Sequence, residues 1–142
     1  MQKIIAKNKF AKSDYEILDK YVAGIELQGW EVKSIRANNV NLKNSFCSFK
    51  KHELFVSNMH VSPWMLEKND EFRARKLLLH KNELLRILTK TEKFKCTIIP
   101  LSIFWLNGKI KLEISIAKKR SKFDKRQIIK ENDDKRIIKN IF

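Results

Sequence analysis

Asn107-Gly108 narrows the folds open to this chain more than any other residue pair, because both residues tolerate the positive φ that a two-residue hairpin turn needs. Before it, residues 97–106 are apolar and aromatic. After it, residues 109–117 alternate, with Ile110, Leu112, Ile114 and Ile116 on one face and Lys111, Glu113 and Ser115 on the other. Period two over that length is the signature of a half-buried strand. The segment therefore predicts a long antiparallel hairpin.

The same period recurs upstream. Tyr15, Ile17, Tyr21, Ala23, Ile25 and Leu27 occupy odd positions, with Asp19 the exception. That spacing predicts a long strand with a bend or bulge at Gly24. Residues 45–51 and 53–61, rich in Phe and Val, predict two strands joined at Lys51-His52. Gly29 breaks the alternation. Residues 30–37 fit a short helix packed through Val32 and Ile35, with Glu31 in its first turn, where the dipole favours an acid. Residues 81–90 predict a second helix with Leu84, Leu85 and Leu88 on one face. Residues 3–13, with four lysines and few core candidates, read as an exposed arm, and residues 65–75 as a polar surface loop. Five or six strands and two helices give a mainly β, α+β domain. A small closed antiparallel barrel of the oligonucleotide-binding type fits, since closure removes exposed edges. A chain of 142 residues suits one such core.

Charge then selects the partner. The chain carries net +15, with +9 in residues 1–117 and +6 in residues 118–142. Neutralising phosphates releases counterions, so an excess on this scale favours nucleic acid over an acidic small molecule. Residues 118–142 hold ten Lys and Arg against four acids, with isoleucines scattered among them and no Gly or Pro. Asp124 and Gln127 resemble a capping box that would start a helix at Lys125. Alone in water such a segment stays unfolded, but an acidic partner, nucleic acid or an anionic membrane, can order it; a plain solvated tail is the alternative. The expectation is a barrel over residues 1–117 and a basic tail over residues 118–142, disordered when free.

Little points to catalysis. His52, His60 and His80 show no metal-ligand spacing with Cys47 and Cys96, and no Gly-rich phosphate loop exists. No metal, cofactor or catalytic constellation is expected. The two cysteines are too few for a disulfide framework, and no apolar run is long enough to span a bilayer. Both point to the cytoplasm. Phe46, Phe49, Phe55, Phe104 and Trp105 lie on strands and read as core, whereas Trp30 and Trp64 sit at element ends, placed either to stack on a base or to fill a barrel mouth. Arg73-Ala74-Arg75-Lys76 ahead of three leucines reads as a phosphate-binding loop rim, with Arg75 and Lys76 its candidates; a solvated charge cluster is the plainer alternative.

One ordered set of pieces carries a resemblance. Ile5-Ala6-Lys7-Asn8-Lys9, Ala23-Gly24-Ile25, Gly29-Trp30-Glu31-Val32-Lys33-Ser34, Val40-Asn41-Leu42-Lys43, residues 75–80 and Asp124-Lys125-Arg126 follow one another in sequence. Together they resemble the SsrA-binding (small protein B) family nearly end to end. The resemblance implies a non-enzymatic, monomeric RNA chaperone of trans-translation. It would bind the tRNA-like domain of transfer-messenger RNA and enter the A site of a stalled ribosome, its tail helical in the vacant mRNA channel. It also implies that Asn8, Lys9, Arg36, Asn41, Leu78 and His80 face RNA. Lys118, Arg120, Asp124, Lys125, Arg126, Lys130 and Ile138 would be tail determinants, Lys118 and Arg120 also binding RNA, with Phe123 where the family places an aromatic or His. The chain departs from the pattern at Val22, where Glu is common, at Asn38-Asn39 and Lys119, which replace Gly, and at Asn132, which replaces Arg. The residues by themselves also suit a general tRNA or single-strand binder, and less well an RNA-modifying enzyme.

Overall fold

The computed structural model describes residues 2–64 and 69–120. Strands β8 (Thr97–Leu106) and β9 (Lys109–Lys119) form the expected hairpin, with Asn107 at φ 51° and Gly108 at φ 76°. Leu112, Ile114 and Ile116 turn inward, and the strand runs on to Lys119, two residues past the tail boundary expected from sequence. Strand β2 (Tyr15–Ile25) lies antiparallel on β9. Its register shifts between Ile17 and Asp19, so the irregularity sits at Leu18 rather than Gly24. Gly24 instead permits close approach: a Cβ there would lie 3.1 Å from that of Leu78, its partner on β7 (Arg75–Leu78).

Residues 3–13 are not an exposed arm. Strand β1 (Gln2–Lys7) pairs with β8 from Leu106 back to Ser102, and the one-turn helix α1 (Ala11–Asp14) follows. Ile5 and Ala6 pack against the core while Lys3 and Lys7 stay exposed, an alternation too short and too lysine-rich to read as a strand. Residues 53–61 divide into β5 (Glu53–Ser57) and β6 (His60–Val61), because Asn58 takes φ 61° and turns the chain away. Strand β4 (Phe46–Lys50) pairs with β5 through a turn at Lys51 and His52, both at positive φ without any glycine. With β3 (Val40–Asn41) paired to β6, the described residues hold nine strands rather than five or six.

The main sheet runs β1-β8-β4-β5-β7-β2-β9, and β9 returns to pair with β8. Helix α2 (Gly29–Arg36) buries Ile35 and half-buries Val32. Asn38 takes the positive φ of 62° that its place after Arg36-Ala37 calls for, which asparagine tolerates better than most residues. Helix α3 (Lys81–Phe94) is longer than expected and stops at Lys95, in the left-handed region. It buries Ile87, whereas Leu85 points outward, 64% exposed, so the three leucines do not share one face. Ala23, Leu54, Val56, Leu77, Ile98 and Ile103 complete a continuous core. The chain is mainly β with added helices.

Candidate nucleic-acid interface

The run Arg73-Ala74-Arg75-Lys76, which leads into β7, is expected from sequence to be a phosphate-binding rim, and the structure corrects this for Arg75. Its side chain has no solvent exposure. Its Nε donates to Glu31 and its Nη1 to the Met59 carbonyl at 2.7 Å. Arg73 donates to the other Glu31 oxygen at 2.5 Å, and that oxygen also accepts the Gln28 N–H at 2.7 Å, closing the first turn of α2. Burial works against the Glu31 carboxylate, but the Arg73 guanidinium, the Gln28 amide and Arg75 outweigh it and hold its pKa below the usual range. A cation this deep must be paired, so Arg75 is a strut between β7 and α2 and not a phosphate ligand. Nothing local in the sequence marks Glu31 as its partner, 44 residues away.

That strut fixes the surface shared by α2 and β7. On α2, exposed Arg36 sits with its guanidinium 5.7 Å from the Trp105 ring centroid, a cation–π arrangement. Leu78, at the end of β7, is half exposed and lines the same cleft as Arg36, Trp105, Lys109 and Lys111. An apolar side chain and a planar cation beside two lysines suit a sugar–phosphate edge. Exposed His80 follows, at the N-cap of α3, its N–H donating to Glu83 at 3.2 Å.

A second groove brings Asn8 and Lys9 together with Asn41 and Lys43, which lie more than thirty residues on. Asn8 is pinned there: its N–H donates to Leu101 O at 2.8 Å and its Nδ2 to Pro100 O at 3.0 Å. The Asn41 side chain accepts the Lys43 N–H at 2.9 Å, fixing the turn that presents both. Strand β1 connects the two surfaces, since Lys3 pairs with Trp105 and Lys7 opens the groove.

The remaining candidates are dispersed. Lys76 pairs with Glu53 at 3.1 Å at the surface. Lys118 is exposed opposite Glu16. Arg120 turns back onto α1, its N–H donating to Asp14 O at 2.9 Å and its Nε to Lys12 O at 3.2 Å. Phe123, Asp124, Lys125, Arg126, Lys130 and Ile138 lie outside the described residues. Among the aromatics, Phe104 is core and Phe49, Phe55 and Trp105 are half-buried, but Phe46 is 43% exposed, against expectation. Trp30 packs against the core and donates to the Gln28 side chain at 2.7 Å. Among the described residues no group of three or more His, Cys, Asp or Glu is placed to hold a metal ion. No described helix is long and apolar enough to cross a membrane.

Comparison with known proteins is decisive. The family model described as SmpB protein matches residues 5–142. The chain belongs to the SmpB family. Its SmpB relatives include the "SsrA-binding protein" of Mesomycoplasma hyopneumoniae (strain 232), 53% identical over 98% of this chain and 99% of that one. Those of Mycoplasma mobile and Persephonella marina are 50% and 45% identical, each covering more than nine-tenths of both chains. A solved structure described as "tmRNA-SmpB: a journey to the center of the bacterial ribosome" matches with a TM-score of 0.69 and 38% identity, over 87% of this chain and 93% of that one. The chain thus shares its overall fold with that structure.

Proposed function

We propose that this protein binds the tRNA-like domain of transfer-messenger RNA and carries it into the A site of stalled ribosomes for trans-translation, without itself catalysing a reaction. The full-length relationship to SsrA-binding proteins supports this. The single structural observation that carries it is the pair of connected cationic surfaces, Arg36–Leu78 with Lys109 and Lys111, and Asn8–Lys9–Asn41 with Lys43. Two such surfaces on one rigid body read the shape of a folded RNA rather than the sequence of a strand.

The body acts as a closed barrel of the oligonucleotide-binding type. The β9–β8 pairing supports closure, with the single Cys47–Ile98 pair between β4 and β8 its narrowest join. Asn8, Lys9, Arg36, Asn41, Leu78, His80 and Lys76 form the RNA-facing set, and Arg75 acts through Glu31 by holding α2 against β7. Lys118 and Arg120, at the end of β9 and against α1, belong to the body, and from residue 121 onward the chain is a ribosome-directed tail. Its Phe123, Asp124, Lys125, Arg126, Lys130 and Ile138 read the decoding centre and the empty mRNA channel. The protein works as a cytoplasmic monomer.

Competition binding at one stated salt concentration tests the reading. The tRNA-like domain should displace an unstructured oligonucleotide of equal length and charge with at least tenfold preference, or about 1.4 kcal/mol. Equal affinity for the two would make this a general nucleic-acid-binding barrel.

A further inference from the structure

Two exposed phenylalanines flank the groove that begins at Asn8. Phe10 is 55% and Phe46 43% exposed, and both line its extension past Lys43 toward Thr97. Scattered apolar side chains at a surface are ordinary, but two benzene rings in one lysine-lined channel are a composition suited to one kind of ligand.

Each ring is held outward by its neighbour. Ala11, directly after Phe10, is buried, and Asn8 is tied to Leu101 and Pro100, so the backbone cannot roll Phe10 inward. Cys47 occupies the core side of β4, and alternation sends Phe46 the other way. The backbone thus presents both rings on the groove side. Lys7, Lys9 and Lys43 line the continuous groove against one acid, Asp14, which already has an interaction of its own.

We infer that Phe10 and Phe46 form a stacking site for an unpaired base of an RNA whose backbone follows Lys9 and Lys43. The inference rests on the RNA-binding reading above and extends it to a site that accepts a splayed-out nucleotide. Charge complementarity favours RNA over the rival occupant, residues 121–142 of the same chain, because that segment is itself strongly cationic and would meet the groove lysines.

The test uses the full chain and two probes: a single-stranded RNA of about ten nucleotides carrying one 2-aminopurine, and a blunt RNA duplex. Phe10→Ala and Phe46→Ala should each weaken single-strand binding roughly five- to hundredfold. Both should reduce 2-aminopurine quenching, and leave duplex binding and the salt slope unchanged. Phe10→Trp should retain affinity where Phe10→Leu loses it. Wild-type affinity in the doubly substituted protein overturns the site while binding of the tRNA-like domain keeps the broader reading. Failure of the unsubstituted chain to bind any of these RNAs overturns both. Tighter single-strand binding after truncation at Arg120 would make the tail the occupant and overturn the inference.

Discussion

Arg75 and Glu31, 44 residues apart, form an ion pair in which neither side chain touches solvent. The pair joins the strand that ends in Leu78 to the helix that ends in Arg36, so the geometry of one candidate RNA surface is set from inside the protein.

Removing one partner leaves the other charge buried and uncompensated. Glu31→Gln should therefore destabilise the fold by about 3–5 kcal/mol, measured by urea unfolding. The pH dependence has a definite sign. The folded pKa of Glu31 lies below its ordinary 4.5, so its contribution is complete above that value and disappears as pH falls through the folded one. Wild-type stability should decline below about pH 4.5, and the Gln variant should show a shallower acid limb. An unaltered acid limb would mean that Glu31 is not the titrating group.

Arg36 and Arg75 look alike in sequence and should behave oppositely. Arg36→Ala should leave the melting temperature nearly unchanged, weaken binding to the tRNA-like domain, and lower the salt slope by about one. Arg75→Ala should cost stability first. When affinity is measured well below its melting temperature, its salt slope should remain that of the wild type, since no phosphate contact is lost. A reduced slope for Arg75→Ala would return that residue to the RNA surface.

What the sequence disclosed was local. The β8–β9 hairpin was legible because Asn107-Gly108 and the isoleucine alternation act within a few residues of one another. Helix α2 was legible from its first turn. Strand β1 was not, because what orders it is an edge of β8 about 100 residues away, and its lysines resemble a solvated arm. The Glu31–Arg75 pair was invisible for the same reason: both residue types default to the surface, and only the long-range fold pairs them. Of the candidate interface, the pieces were legible individually, but not that Asn8 and Asn41 share one groove while Arg75 leaves the surface altogether.

Gly24 faces Leu78 in the two-residue β2–β7 pairing, where an added Cβ would sit 3.1 Å from that of Leu78. Alanine gains roughly 0.5–1 kcal/mol over glycine within a strand, but overpacking costs about 1–3 kcal/mol. Gly24→Ala should be destabilising by about 1 kcal/mol net, and RNA affinity should fall because Leu78 is displaced. Gly24→Val should do more of both. Calorimetric melts and binding by the same preparations separate the two effects, and a stabilised Gly24→Ala protein would refute the close approach.

The place to cut the tail follows from Arg120. Strand β9 continues to Lys119, pairing Lys118 with Glu16 and Lys119 with Tyr15, and Arg120 then donates to Asp14 and Lys12 on α1. Cutting after Ala117 would strip β2 of these partners and release α1, confusing damage to the body with loss of the tail. Cutting after Arg120 keeps every described contact. That truncated protein should melt like the full chain and bind the tRNA-like domain with similar affinity, yet fail to support tagging of nascent chains on stalled ribosomes. The cut after Ala117 should lose stability as well, by about 1 kcal/mol for each hydrogen bond removed. If the protein ending at Arg120 tags normally, residues 121–142 have no role in the mRNA channel.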